Sequence, residues 1–396
     1  MNTNYPGIDV LRTECRRLAE MNEFAVNALE NRVNYVIGQG HQYRIIGKES
    51  NSETAEVQRL LDRFLDGNDW TRRQREMMRR RDRDGEVFIR ITPDRKTIAK
   101  IRFVDPEQVY TPSRHLAESN TSFGILTQPN DAEEVVGYWI DERYYDAAQI
   151  HHRKANVDSN TKRGVPLFAP VRTNLDRAEQ LLRNMSVVSN IQSSIAMIRR
   201  HQTTSKEAVR QFVQDQATKT ICNDDGDVIR TYQQFSPGTI IDSGSSTEYE
   251  FPASAIDAGT YISVLQAELR AIASRLVMPE FMLTSDASNA NYSSTMIAEG
   301  PAVRMFERLQ HEVIGEDIQL LRKVFALSAS FGIIEPGLLD RVTIHTIPPM
   351  LAARDRLNEA RADKILYDLG VLSKESLAMR YGIDPAREER LSCKCV

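Results

Sequence analysis

Cysteine is scarce in this chain: four thiols in 396 residues, Cys15, Cys222, Cys393 and Cys395. They are too few and too scattered for a disulfide framework, so reduced thiols are expected. The ending Cys393-Lys-Cys-Val396 has the spacing of a prenylation signal but carries Lys where an aliphatic residue is usual. No apolar run is long enough to span a bilayer, and the first residues lack the basic patch and apolar stretch of a secretory signal. Synthesis in a cytoplasm, without a membrane partner, is the expectation. A basic excess is missing as well, with 51 Lys and Arg against 55 Asp and Glu and a net charge of −4. A protein that grips nucleic acid by neutralising phosphates has the opposite balance. The common catalytic signatures are absent too. There is no Gly-rich phosphate loop closed by Lys-Ser or Lys-Thr, no His-Glu-x-x-His, no Cys-x-x-Cys pair and no Gly-x-Ser-x-Gly, which argues against a P-loop motor, a zinc protease and a serine hydrolase. His115, His201, His311 and His345 stand alone in the sequence. No catalytic residue, metal or cofactor is expected.

What the chain has is ample material for a core. At 45.1 kDa it exceeds a usual single core, so two or three sub-domains are expected, and 41% apolar with 27% charged residues is an ordinary globular composition. Leu11, Cys15, Leu18, Met21, Phe24, Ala25, Ala28, Leu29 and Val33 recur at helical spacing over 8–37 and end at Gly38-Gln-Gly40, which predicts two helices or one broken one. Helices are also expected over 54–64 and 71–84. The latter carries Arg72, Arg73, Arg75, Arg79, Arg80, Arg81 and Arg83; such a run is expected as a solvated face paired with acids of neighbouring elements, the alternative being a patch that meets phosphate or a partner. After Gly85 the period changes to two. Short strands are expected at 86–91, 98–104, 124–126 and 135–140, forming a small β-rich module over 85–155. His151 and His152 close it; adjacent strand residues point to opposite faces, so one metal ion cannot easily take both and a structural role is expected.

The longest clean helical pattern covers 170–201. Val171, Leu175, Ala178, Leu182, Met185, Val188, Ile191, Ile195 and Ile198 line one side, and the other is mostly Gln, Asn, Ser and Arg. Such a rod would be about 45 Å long, and its one apolar stripe suits packing against identical neighbours. Residues 202–259 mix a short helix over 206–216 with strands near 219–221, 228–232, 239–241 and 249–251. The turn Asn223-Asp-Asp-Gly-Asp227 lacks the ligand spacing of a calcium loop and reads as a hairpin turn. A helix over 260–277, with Ile262, Leu265, Leu269, Ile272, Ala273 and Leu276 on one face, is stopped by Pro279. Then comes Asp286-Ala-Ser-Asn-Ala-Asn-Tyr-Ser-Ser-Thr295, which cannot build a core. Asn, Asp and Ser bond their own backbone in turns, so these ten residues predict a loop held out into space, where function tends to sit. A long helix over 297–330 with a kink at Gly300-Pro301, a strand over 340–345, a break at Pro348-Pro349 and short helices over 354–369 and 374–381 complete the pattern.

Several pieces, in this order, resemble the lambda-like portal proteins of tailed bacteriophages. Asn27-Ala-Leu-Glu-Asn-Arg-Val-Asn-Tyr-Val-Ile-Gly-Gln-Gly40 is similar to the family's early helix with its Ile-Gly-x-Gly turn, and Asp84-Gly-Glu-Val-Phe-Ile-Arg90 to its first wing strand. Arg163-Gly-Val-Pro-Leu-Phe-Ala-Pro170 looks like the approach to the first stem helix, and Pro237-Gly-Thr-Ile-Ile241 through Phe251-Pro252 like the return from clip to stem. Leu269-Arg-Ala-Ile-Ala-Ser-Arg-Leu-Val-Met-Pro279-Glu-Phe-Met-Leu283 with the polar loop carries the signature most fully. Leu369-Gly-Val-Leu-Ser-Lys-Glu-Ser376 and Gly382-Ile-Asp-Pro385 resemble the crown helices.

The resemblance implies an α+β, mostly helical portal fold with long stem helices, a small β-rich wing module and an α/β clip. Its parts would be a wing over 1–165, a first stem helix over 166–201, a clip over 202–259, a second stem helix over 260–279, a tunnel loop over 280–295, a connecting helix and strand over 296–347, and crown helices over 348–396. It further implies a homo-oligomeric ring, usually dodecameric, at one capsid vertex of a virion made in a bacterial host's cytoplasm. Double-stranded DNA would pass through without sequence specificity, and the terminase large subunit, a capsid or scaffold protein and a head-completion adaptor would dock. Asp286, Ser288, Asn289, Asn291, Tyr292, Ser293 and Ser294 would line the channel, and Val171, Leu175, Leu182, Leu265, Leu269 and Ile272 would make stem contacts within or between subunits. The family's loop commonly continues Tyr-Ser-Ser-x-Arg, whereas Tyr292-Ser-Ser-Thr-Met296 has no Arg and the loop no Lys. A channel that lets DNA slide is expected to be polar and weakly charged, because each neutralised phosphate adds affinity and so a barrier to movement. Two other readings remain at this point: a non-portal ring or scaffold protein, and a nucleic-acid enzyme holding metal with scattered carboxylates.

Overall fold

A computed structural model describes residues 7–47, 51–201, 218–222, 228–233, 239–244, 258–286, 292–351, 356–381 and 383. The chain divides into two units: Met1–Arg172 with Ala273–Val396, and Thr173–Ile272. The class is α+β.

The first unit opens with α1 (Ile8–Met21) and α2 (Glu23–Val36). The helical pattern breaks at Asn22, whose backbone is extended and whose side chain accepts from Ala25 N at 3.1 Å, capping the second helix. Next come β1 (Gln42–Gly47), α3 (Asn51–Gly67) and α4 (Trp70–Asp84). Strand β1 was not expected; its six residues are too short for a firm alternation. It forms because a distant segment, Val342–Ile347, pairs with it antiparallel from Gln42↔Ile347 to Gly47↔Val342, burying Tyr43, Ile45 and Ile344.

Helix α4 ends at Gly85, whose φ of 82° is the left-handed conformation favoured at a helix C-terminus. Strand β2 (Glu86–Asp94) follows, paired antiparallel on one side with β3 (Ile98–Val104) and on the other with β8 (Ile150–Lys154). It is central and buried on both faces. Val87, Ile89 and Ile91 enter a large cluster with Val57, Leu61, Phe64 and Leu320, while Phe88 enters a smaller one with Val109, Ile125 and Tyr138, as the two-residue period of a strand requires. The smaller cluster is roofed by a second sheet, β4 (Thr121–Ser122), β5 (Ile125–Gln128), β6 (Asp131–Ile140) and β7 (Arg143–Asp146) in that order. The backbone behind β2 is tight. A Cβ on Gly164 would lie 1.9 Å from Gly85 O, so only glycine fits there.

After residue 276 the first unit resumes with a short helix, α7 (Glu280–Thr284), and the 39-residue α8 (Tyr292–Ser330), which contains Pro301. Helix α8 supplies Leu320, Leu321, Val324 and Phe325 to the large cluster. Helices α9 (Arg356–Asp368) and α10 (Lys374–Arg380) leave Ile365, Leu369 and Val371 exposed.

The second unit holds nearly all of α5 (Arg172–Ser194) and α6 (Ala258–Leu276). Asn174 donates to Glu268 Oε2 at 2.6 Å and Arg177 lies 3.4 Å from Glu268 Oε1, so the two helices run side by side there. The 170–201 extent expected for the first of them needs correction: α5 stops at Ser194, and Ile195–His201 is strand β9, paired parallel with β12 (Thr239–Gly244). Ile195, Met197 and Ile198 fit either period. A partner containing Ile240 and Ile241, some forty residues on, decides for the strand. Strands β10 (Thr218–Cys222) and β11 (Val228–Gln233) form an antiparallel pair. The 206–216 helix, the 223–227 turn and the 249–251 strand lie outside the described residues.

Candidate functional site

The core of the first unit is held by carboxylates that a sequence pattern hides. Glu86 opens β2 and is fully buried. Its Oε1 accepts from Arg12 Nη2 at 2.7 Å and from Arg163 Nε at 2.8 Å; its Oε2 lies 3.1 Å from both Gly164 N and His152 Nε2. Burial alone would raise this carboxyl, but Arg163 and His152 overcome it and bring the pKa down to about 2. Arg163 also donates to the carbonyls of Pro106, Val109 and Phe123, tying the loops between the two sheets to the 163–164 turn. The His152 ring stacks on Phe88 with centroids 4.0 Å apart. His151 is buried, and burial, with Arg153 and Lys323 nearby, lowers its pKa well below the ordinary value. The two histidines therefore serve different surroundings, as expected from strand geometry.

A second buried network joins β1, α4, β8 and α8. Tyr43 Oη donates to Asp317 Oδ2 at 2.6 Å and accepts from Trp70 Nε1 at 3.1 Å and Gln74 Nε2 at 2.8 Å. Asp317 also receives Gln74 Nε2 at 2.8 Å and Arg153 Nη2 at 2.7 Å. Burial opposes its charge, yet Arg153 and the Tyr43 hydroxyl hold the carboxyl well below its usual range. Asp317 lies in the same helical stripe as Val313, Leu320, Leu321 and Val324, all buried. A carboxylate at a core position of an amphipathic helix was the available signal, and periodicity alone did not weigh it.

The arginine run of α4 is paired with acids, but it is not a solvated face. Arg79 bridges Glu30, with Nε–Oε1 at 2.6 Å, and Arg81 reaches Glu312 at 2.5 Å; Arg80 joins Glu76 and stacks 4.8 Å over Phe103. Arg75 donates to Gly38 O at 2.7 Å, and Arg32 on α2 answers Asp82 at 2.5 Å. Arg81 is buried, and Arg73, Arg80 and Arg83 are only partly accessible. These guanidiniums bind α4 to its neighbours α2 and α8.

The expected channel loop is shorter than its sequence pattern suggests. Tyr292, Ser293 and Ser294, expected in the loop, are the start of α8, and 280–284 is helical. The helix before it ends at Thr284, Ser285 is left-handed at φ 59°, and the next helix begins at Tyr292; residues 287–291 lie outside the described residues. Polar residues prefer a helix start to its interior, where their side chains compete for backbone bonds, so Ser293 and Ser294 in a first turn are not anomalous. Asp286 is exposed; Ser288, Asn289 and Asn291 lie outside the described residues. Among the stem residues, Leu175 and Ile272 have no exposure and Val171 and Leu269 only 5%, so one chain already buries them. Leu182 and Leu265 are half-buried. The side chains a lone chain leaves in water are instead Val187, Ile262 and Val264, 55%, 44% and 47% exposed.

Cys15 is a free, buried thiol, pushed up to about 12 chiefly by burial. Among the described residues no three His, Cys, Asp or Glu side chains group as metal ligands, and no helix is long and apolar enough to cross a membrane.

The described residues thus combine two long neighbouring helices, a charge-locked core around β2 and a 39-residue helix. The chain matches the family "Phage portal protein, lambda family" over residues 2–310. It belongs to that family, and it is a portal connector. No curated protein matches it. Similar solved chains come from the virion of a native gene transfer agent particle (12% identity, 97% of this chain and 95% of that chain covered, TM-score 0.48) and from the neck of an empty gene transfer agent particle computed with C6 symmetry (14%, 97% and 95%, 0.47). Another comes from the neck of a native particle computed with C12 symmetry (13%, 93% and 93%, 0.41). The assignment rests on the family match alone.

Proposed function

We propose that this portal protein assembles into a closed homo-oligomeric ring of about twelve copies at one capsid vertex. Double-stranded DNA passes through its centre during packaging and ejection, and the terminase large subunit, a capsid or scaffold protein and a head-completion adaptor dock on its rims. No catalytic step is assigned to it, and the protein would reside in the virion. Wing, stem, clip and crown follow the boundaries expected from the sequence, with the first stem helix shortened to end at Ser194 and the tunnel loop to 285–291. The observation that carries the ring is that Val187, Ile262 and Val264 stand exposed on α5 and α6. Apolar side chains left in water in this way support burial against identical neighbours. The near-neutral charge of the chain supports a conduit that does not hold its DNA.

Electron microscopy viewed down the particle axis tests the ring. Closed rings around a hole that admits a DNA duplex of roughly 20 Å are expected. A monomer or dimer in the presence of scaffold, or a ring too narrow for the duplex, would overturn the reading and favour a non-portal assembly protein. Deleting 288–293 tests the channel loop. Rings should still form while packaging or DNA retention falls, and a deletion that packages normally would remove that role.

A further inference from the structure

The loop at 285–291 is preceded by α7, a helix too short to satisfy its own last carbonyls. Two amides from α2 do so instead. Asn27 Nδ2 donates to Met282 O at 2.9 Å and to Leu283 O at 2.7 Å, and Asn31 Nδ2 donates to Met282 O at 2.8 Å. Asn31 Nδ2 also lies 3.4 Å from Asn27 Oδ1. The residues are four apart, so they sit one above the other on the same face of α2, and Met282 O uses both of its lone pairs. Leu283 beneath them is buried.

The same helix holds the segment on the far side of the loop. The Tyr35 and Phe306 rings stack with centroids 4.7 Å apart and planes 7° from parallel, Arg32 Nη1 reaches Met305 Sδ at 3.4 Å, and Gln310 donates to Tyr35 O at 3.0 Å. Helix α2 is itself fixed to α4 through Arg32–Asp82 and Glu30–Arg79. Both flanks of the loop are thus referred to one rigid element of the wing.

We infer that Asn27 and Asn31 are positioning residues: a backbone clamp that sets where the channel loop stands and couples it mechanically to the wing. This rests on the reading of 285–291 as the channel loop. The clamp reads only carbonyl oxygens on the loop side, so its specificity lies in the two asparagines. Asn27 makes two of the three bonds and Asn31 one, which predicts graded effects.

The test compares Asn31→Ala, Asn27→Ala and the double variant in assembled rings, by hydrogen exchange and by DNA retention in filled particles. Exchange in peptides covering 282–286 should rise in that order, tenfold or more in the double variant, while α2 amides over Glu23–Val36 keep their protection. DNA retention should fall in the same order. Unchanged exchange at 282–286, or an equal loss of protection along α2, would overturn the clamp and leave a general packing role. Normal retention in a ring whose 282–286 exchange has risen would overturn the coupling. The 288–293 deletion, run alongside, fails separately: if it alone packages normally, the channel reading falls and the exchange result still decides the clamp.

Discussion

Replacing Glu86 with Gln removes one negative charge and almost no volume, and the structure sets the cost. If the amide keeps its oxygen toward Arg12 and Arg163, its NH2 faces Gly164 N and His152 Nε2; reversed, it faces two guanidiniums. His152 can change tautomer, but the Gly164 N–H cannot, so a buried donor is left without a partner. Arg163, which is buried, loses its countercharge, and buried Arg12 keeps only its bond to the exposed Asp9. Breaking a buried ion pair by removing one partner costs about 3–5 kcal/mol. The depressed pKa gives a similar figure: a carboxyl held at about 2 instead of 4.5 contributes about 3 kcal/mol at neutral pH. Because the folded pKa is depressed, that stability is complete above pH 4.5 and is lost as pH falls toward 2. The groups facing Glu86 are Arg12, Arg163 and His152, and Asp84 is linked to the same cluster through the Arg12 bond to its carbonyl. Urea unfolding of wild type and Glu86→Gln, followed from about pH 7 to about pH 3, measures the difference. A gap of about 3 kcal/mol or more at neutral pH that narrows below pH 4.5 is expected. A gap under about 1 kcal/mol, or one that does not narrow in acid, would refute the reasoning.

Two further outcomes are expected. Tyr43→Phe removes one donor to Asp317 and the acceptor for Trp70 and Gln74, and should cost about 1–3 kcal/mol by the same unfolding assay; a smaller change would mean that Gln74 and Arg153 alone satisfy Asp317. Val187→Asp, at a position 55% exposed in one chain, should abolish rings in negative stain while leaving the circular dichroism of the subunit unchanged, whereas Leu175→Asp, at a fully buried position, should unfold the stem itself; rings that survive Val187→Asp would remove this face from the interface.

Much of the fold was legible because it follows periods that neighbouring residues set. The end of α4 at Gly85, the alternation of Val87, Phe88 and Ile89 and the stop at Pro279 all rest on chemistry within a few residues, whereas the pattern over 8–37 left open one broken helix or two until the structure put the break at Asn22. The family resemblance was legible in the same local pieces. Errors arose where two periods compete. Ile195, Met197 and Ile198 suit a helix or a strand until β12 supplies a ladder, and Tyr292-Ser-Ser looks like a loop until α8 takes it as a first turn.

The sequence by itself determined composition, charge balance, helical and strand periods and the order of motifs that marks the lambda portal family. Tertiary structure decided the partnerships: β1 with Val342–Ile347, Tyr43 with Asp317, Glu86 with Arg12 and Arg163, and Asn27 with the carbonyls of Met282 and Leu283. Each joins residues tens to hundreds of positions apart. Periodicity reports which way a side chain faces, whereas a buried charge is tolerated only where a particular distant partner stands within hydrogen-bonding distance, and that distance is a property of the folded chain.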